Sequence, residues 1–313
     1  MTVTIGLDIG GTNLRGAVVD PHGVVVRDAR TPSPNSWDEM AQGILDMIEK
    51  LRADVPDVAA VGVGAAGLVG LDGTIEYSPN VPAFRNATVG ATLSERCPLP
   101  VVVDNDANVA AYAETLHGAA QGYREVLMVT LGTGIGGGIV TGGQVLRGAH
   151  GYAGEIGHFT IERNGPKCAC GHRGHWEAIA SGNALGRLAR QAAASGGAPA
   201  LLQLAGGDPE NVTGFTVAQG AHAGEPDALA ILDEYADNVG VGLGALANIV
   251  DPAIIVIGGG VVEMGDILLD RVRAAYARNV EAGASRAIQP VVPAALGDTA
   301  GVVGAAALAR ALV

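Results

Sequence analysis

The chain has 313 residues, a formal charge of −13, 48 glycines, three cysteines and only 4% aromatic residues. That length suits about two domains, each able to bury its own core. The acidity and the scarcity of stacking rings exclude a general nucleic-acid binder, and three cysteines exclude a disulfide framework.

In chain order, an apolar run, Val3 to Ile9, leads into Asp8-Ile-Gly-Gly-Thr12. Residues 14–19 and 24–29 continue an antiparallel meander, with Asp20-Pro-His-Gly23 as its turn. Met40, Ile44, Met47, Ile48 and Leu51 recur at helical spacing over 37–53. Strands follow at 58–65 and 101–103, with a hairpin signal at Leu71-Asp-Gly-Thr74 between them. Asp104-Asn-Asp106 opens a helix that runs to about His117. Residues 126–146 carry no charge, but their many glycines and the Gly142-Gly143 turn read as a hairpin and not as a membrane span. Residues 228–250 form an amphipathic helix stopped by Asp251-Pro252, and an Ala-rich helix covers 300–312. No charged leader with an apolar segment opens the chain, so the expected compartment is the cytosol.

Glycines after apolar strands let the backbone turn tightly and approach a ligand. At the first of these turns, the N–H groups of Gly10, Gly11 and Thr12, with the Thr12 hydroxyl, can surround phosphate oxygens. Asp8 offers a carboxylate to the water shell of a Mg²⁺ bridging those phosphates. A second version, Gly132, Thr133 and Gly134, follows residues 126–131, and a third cluster, Gly258, Gly259 and Gly260, follows 254–257. Alternating strands and helices make the class α/β. The repeated strand–glycine turns look like a diverged internal duplication, with two phosphate loops facing each other across a cleft. The pattern implies a phosphoryl-transfer enzyme.

The ordered set Asp8-Ile-Gly-Gly-Thr12, Ser78-Pro-Asn80, Asp104-Asn-Asp-Ala-Asn108, Leu131-Gly-Thr-Gly-Ile-Gly-Gly-Gly138, Gly154-Glu-Ile-Gly-His158 and Cys168-Ala-Cys-Gly-His-Arg-Gly-His-Trp-Glu177 spans nearly the whole chain. It resembles the ROK family (repressors, open reading frames and kinases) of the actin-like ATPase superfamily, and within it the bacterial glucokinases. The resemblance implies a two-lobed, duplicated ribonuclease H-like fold with the active-site cleft between the lobes. The lobes are expected over 1–116 with 299–313, and over 117–298. It implies an ATP-dependent hexose kinase that makes glucose 6-phosphate, with Mg²⁺ on the nucleotide and a homodimer or homotetramer as the assembly. Asp106 is then the catalytic base toward the sugar hydroxyl. Asn80, Asn105, Glu155, His158 and Glu177 hold the other hydroxyls, with the Gly64-Ala-Ala-Gly67 turn nearby. Gly258, Gly259 and Gly260 border the adenosine. Near a helix start the macrodipole lowers the basicity of Asp106. A loose transition state asks for orientation more than for basicity.

His158, Cys168, Cys170 and His175 have the donor chemistry of a closed, structural Zn²⁺ site. Where the family commonly has Cys this chain has His175. His172 is a competitor, and the Gly174-x-x-Glu177 register favours His175. Asp104 is read as structural, a helix cap being the plain alternative, and Cys97 as inert packing. Trp176 is read as packing, with stacking on the sugar as its alternative. Rival functions are kinases for N-acetylmannosamine, N-acetylglucosamine, mannose or fructose, a polyphosphate donor, and a non-catalytic sugar-sensing regulator. A repressor would need a DNA-binding segment ahead of the first loop, which begins here at residue 8.

Overall fold

A computed structural model describes residues 2–53, 55–79 and 81–313. Strands β1 (Val3–Ile9), β2 (Asn13–Val19) and β3 (Val25–Pro32) form the expected meander, with β3 running on to an edge proline. Helix α1 (Trp37–Arg52) starts at Ser36, whose hydroxyl accepts the Glu39 N–H and donates to the Glu39 carboxylate. All five apolar positions marked by the sequence periodicity are buried on its inner face. Each such side chain contributes on the order of 1.5–3 kcal/mol.

Strand β4 (Val58–Ala65) runs parallel to β1. A small antiparallel sheet follows, β5 (Leu68–Val69), β6 (Ile75–Tyr77) and β7 (Arg85–Ala87), and the predicted turn at 71–74 joins its first two strands. Helix α2 (Val89–Arg96), strand β8 (Val101–Asn105) and helix α3 (Asp106–His117) complete this stretch. The first large sheet has the order β3-β2-β1-β4-β8.

The pattern then repeats. Strands β9 (Val126–Leu131), β10 (Ile135–Thr141) and β11 (Gln144–Val145) form a second meander. Gly142 and Gly143, both at positive φ, make the two-residue turn between β10 and β11. Helices α4 (Trp176–Ala180), α5 (Gly182–Ala194), α6 (Pro199–Leu204), α7 (Gly214–His222) and α8 (Pro226–Val250) intervene before strand β12 (Ile254–Gly258). Helix α9 (Asp266–Asn279), strand β13 (Val291–Pro293) and helix α10 (Ala300–Arg310) close the chain. The second large sheet has the order β11-β10-β9-β12-β13. The two sheets thus follow one path, meander first and two further strands after, which is the duplicated α/β architecture of the actin-like ATPases.

The chain forms two compact units: Met1–Met128 with Gly137–Gly154 and Ala294–Val313, and Val129–Gly136 with Glu155–Pro293. In the first unit α10 lies in backbone contact with both the sheet and α3. A methyl group at Gly6, Gly62 or Gly304 would overlap the carbonyl oxygens of Val302, Ala305 and Val109 respectively. The small residues of the C-terminal helix therefore serve close approach. In the second unit Trp176 is fully buried, donates its indole N–H to the Asn238 carbonyl at 3.0 Å, and lies where a side chain at residue 242 would be. Its role is packing, as read from the sequence. Among the described residues no helix is long and apolar enough to cross a membrane.

Candidate active site

Strand register determines where the first glycine turn and the acidic elbow stand. Asp8 pairs with Gly64 across β1 and β4, and Gly64 pairs with Asp104 across β4 and β8. These strands are parallel, so the Asp8 loop and the Asn105–Asp106 elbow leave the sheet at the same carboxyl edge. Two strand spacings put Asp8 and Asp104 about 10 Å apart. Ligands of open α/β sheets collect at this edge.

The turn at Gly10, Gly11 and Thr12 is tied from behind. Gly10 N–H donates to the Asn13 carbonyl at 3.0 Å, Ser33 Oγ donates to the Gly10 carbonyl at 2.6 Å, and Ser33 N–H donates to the Thr12 carbonyl at 3.0 Å. Among the described residues nothing accepts the N–H groups of Gly11 and Thr12. A phosphate oxygen suits such donors. Burial raises the pKa of Asp8; Arg15, opposite it in the β1–β2 register, lowers it, and Asp298 raises it. Arg15 is held by Asp298 at 3.3 Å. A side chain at residue 301, in the first turn of α10, would stand 2.7 Å from Asp8 Cγ.

Asn105, and not either aspartate, caps α3. Its Oδ1 accepts the N–H groups of Ala107 at 2.8 Å and Asn108 at 3.1 Å. Its Nδ2 donates to the Gly67 carbonyl at 3.0 Å, which brings the 64–67 turn beside it. One amide hydrogen is left for a ligand. Asp106 opens the helix half-buried, its Oδ1 accepting the Ala107 N–H at 2.9 Å. Asp104 is buried and hydrogen-bonded to Arg147, Asn105 and Asn108. Asn80 lies outside the described residues.

In the second unit the loop at 132–134 is gripped on several sides. Gly132 N–H donates to the Gly134 carbonyl at 3.0 Å, and Gly182 N–H, at the start of α5, donates to the Gly132 carbonyl at 2.7 Å. Glu177 Oε2 accepts the Ile135 N–H at 3.1 Å, and a methyl at Gly134 would overlap that oxygen. Gly259, at φ 86°, packs on the backbone of Leu131, so the third glycine cluster adjoins the second loop. Gly258 ends β12, and Gly260 faces open space. Gly182 was not singled out from sequence. Its signal was Ser181, a helix cap whose hydroxyl accepts the Ala184 N–H, directly after the Glu177 segment.

Glu155 precedes a single helical turn, Ile156–His158, whose last residue brings its Nε2 within 3.9 Å of Glu155 Oε2. Burial raises the pKa of Glu155; His158 lowers it and Glu177 raises it. The cysteines sit on a tight excursion. Cys168 N–H donates to the His172 carbonyl at 2.7 Å, and Gly174 N–H donates to the Pro166 carbonyl at 2.9 Å. Gly174 has φ 71°, and its α-carbon lies against the Glu162 carbonyl, where no side chain fits. His158, Cys168, Cys170 and His175 come together with their donor atoms all within 4.8 Å of one another. Cys168 Sγ is 3.8 Å from His158 Nδ1, and Cys170 Sγ is 3.1 Å from His175 Nδ1. Tetrahedral Zn²⁺ with S and N ligands spaces its donors by about 3.6 Å. Two thiols and two imidazoles at this spacing fit that ion. His172 is outside the group, its ring centroid 5.5 Å from that of His175. Without metal, burial raises the Cys168 thiol pKa to about 12 and lowers that of His175.

The ROK family model matches residues 4–312. The chain belongs to the ROK family. Among curated ROK relatives, the glucokinase of Streptomyces coelicolor is 40% identical over 99% of this chain and 98% of its own length. The glucokinase of Halalkalibacterium halodurans is 37% identical over 96% and 92%. Among solved structures, a ROK family glucokinase from Streptomyces griseus in complex with glucose and AMPPNP superposes with a TM-score of 0.86. It is 39% identical, and the match covers 99% of each chain.

Proposed function

We propose that this ROK protein is an ATP-dependent glucokinase, converting D-glucose and ATP to glucose 6-phosphate and ADP. The observation that carries the reading is the full-length similarity to a glucokinase solved with glucose and AMPPNP. The local geometry supports it: two strand–glycine turns, the first with the N–H groups of Gly11 and Thr12 unclaimed among the described residues, and an aspartate at the head of a capped helix.

In this reading Asp106 accepts the proton of the attacking hydroxyl and orients it. Asn105 contributes its remaining amide hydrogen to the sugar. Glu155, His158 and Glu177, with Asn80, pair with the other hydroxyls, each hydroxyl being both donor and acceptor. A site built this way rejects sugars that lack a hydroxyl, because its own polar groups are left unpaired. Gly10, Gly11, Thr12, Gly132, Thr133 and Gly134 hold phosphate oxygens, and Gly258, Gly259 and Gly260 border the adenosine. Asp8 faces the water shell of Mg²⁺, which neutralises charge on the phosphates.

A structural Zn²⁺ held by His158, Cys168, Cys170 and His175 belongs to the same proposal. It would fix the segment that carries Glu155 and Glu177, with no part in the chemistry. Cytoplasmic location and assembly as a homodimer or homotetramer complete the reading; light scattering of the purified protein checks the assembly.

The test is ADP release from Mg-ATP with glucose, mannose, fructose, N-acetylglucosamine and N-acetylmannosamine. Preference for glucose is the expected result. Preference for another sugar overturns the substrate and keeps the chemistry. Silence across the panel overturns the kinase reading in favour of a sugar-sensing regulator.

A further inference from the structure

Asp104 is 4% exposed. A buried carboxylate costs several kcal/mol unless donors surround it. Here four donors do. Oδ2 accepts Arg147 Nε at 2.7 Å and Arg147 Nη2 at 2.7 Å. Oδ1 accepts the Asn105 N–H at 2.8 Å and Asn108 Nδ2 at 2.9 Å. Asn105 and Asn108 flank Asp106 on either side, one capping α3 and the other in its first turn.

The cation comes from elsewhere in the chain. Arg147 stands in the loop after β11 that runs to Gly154 and then Glu155. Its carbonyl accepts the Ala153 N–H at 3.1 Å, closing that loop, and the His150 carbonyl accepts the Leu71 N–H at 3.3 Å. Asn108 Oδ1 is buried with no partner among the described residues, so Asp104 alone orients this amide. Gly154, at φ 96°, lies beside that oxygen, a side chain there standing 3.6 Å away.

We infer that Asp104 and Arg147 are positioning residues for the phosphoryl-transfer site. Their ion pair fixes the Asn105–Asp106 elbow and the 147–154 loop in one arrangement. The inference rests on the glucokinase reading for its substrate. A buried carboxylate retained only for stability is poorly chosen, since apolar replacements of equal volume are often at least as stable. A carboxylate that spends two bonds on the residues flanking a catalytic base serves geometry. A misplacement of about 1 Å costs on the order of 10²-fold in rate.

The test compares Asp104→Asn, Arg147→Lys and the double variant with wild type. Arg147→Lys keeps the charge and loses the planar fork that places two donors on one oxygen. Expected are a kcat for glucose lower by about 10²-fold in Asp104→Asn and by about 10-fold in Arg147→Lys. The KM for ATP should be unchanged, and the double variant no worse than Asp104→Asn, as for residues acting as one unit. Hydrogen exchange, read without turnover, should quicken at the amides of 105–110 and 147–154. Folded variants with wild-type kcat and lowered melting temperature alone would overturn the inference. If Asp104→Asn fails to fold, Arg147→Lys decides, because its side chain is 32% exposed. Wild-type protein inactive on glucose would instead overturn the substrate reading, and the exchange comparison would still judge the pair.

Discussion

Glu177 accepts the backbone N–H of Ile135 at 3.1 Å through one oxygen, while its other oxygen lies 3.4 Å from Cys168 Sγ. One side chain therefore touches both the end of the second glycine loop and the Cys/His group. Disorder in that group would reach the loop through a single carboxylate.

Metal removal tests this link. Purified protein is expected to carry about one Zn²⁺ per chain by elemental analysis, as four protein ligands make a closed site. Chelation or Cys170→Ser should lower the melting temperature and weaken glucose binding measured calorimetrically. Metal-free protein that binds glucose and turns over normally would remove zinc from the account.

Asp106→Asn should lower kcat by about 10²–10⁴-fold, the range of general-base contributions. Calorimetric ATP affinity should change little, since the glycine turns are untouched. Wild-type turnover in this variant would take Asp106 out of the mechanism.

Asp8 has a folded-state pKa raised chiefly by burial. The folded state then holds this proton to higher pH than the unfolded chain, so stability from it is full below the ordinary value of 3.8 and lost as pH rises through the folded pKa. At neutral pH the ionised group is a cost. Asp8→Asn should therefore raise the neutral-pH melting temperature while raising the KM for Mg-ATP. In wild type, acidification should weaken Mg-ATP binding, with an apparent pKa above 3.8. A lower melting temperature in Asp8→Asn would contradict this.

Glu114, fully buried in α3, accepts the N–H groups of Ala119 at 2.7 Å, Ala295 at 3.0 Å and Leu296 at 2.8 Å. It ties the end of α3 to the segment that enters α10. Glu114→Gln places an amide donor against backbone donors. It should cost about 3 kcal/mol or more of stability, read from the urea midpoint. An unshifted midpoint would show that the three bonds contribute nothing net.

Much of the local structure was legible in the sequence. The α1 face, the Gly142–Gly143 turn and the strand–glycine junctions depend on periodicity and backbone geometry over a few residues. The Cys168-Ala-Cys170 spacing announced a soft-donor cluster for the same reason. Legibility stopped at Asp104. Its sequence context, an acid before a helix, equally fits a cap, yet Asn105 took that role because its side chain could reach both the first-turn N–H groups and the Gly67 carbonyl.

By itself the sequence determined the first meander, helix α1, the strand–glycine turns and the helices that became α3, α8 and α10, the chemistry available at each turn, and membership of the ROK family. These are properties of short segments, set by side-chain period and by where glycine is required. Tertiary structure decided the pairings between distant segments: Arg147 with Asp104, 43 residues apart, and Glu177 with Ile135, 42 apart. Parallel register set Asp8 in line with Asp104, and backbone contact brought Gly301 against Asp8. A buried charge takes whichever donors the packed fold delivers, and no local pattern encodes that choice.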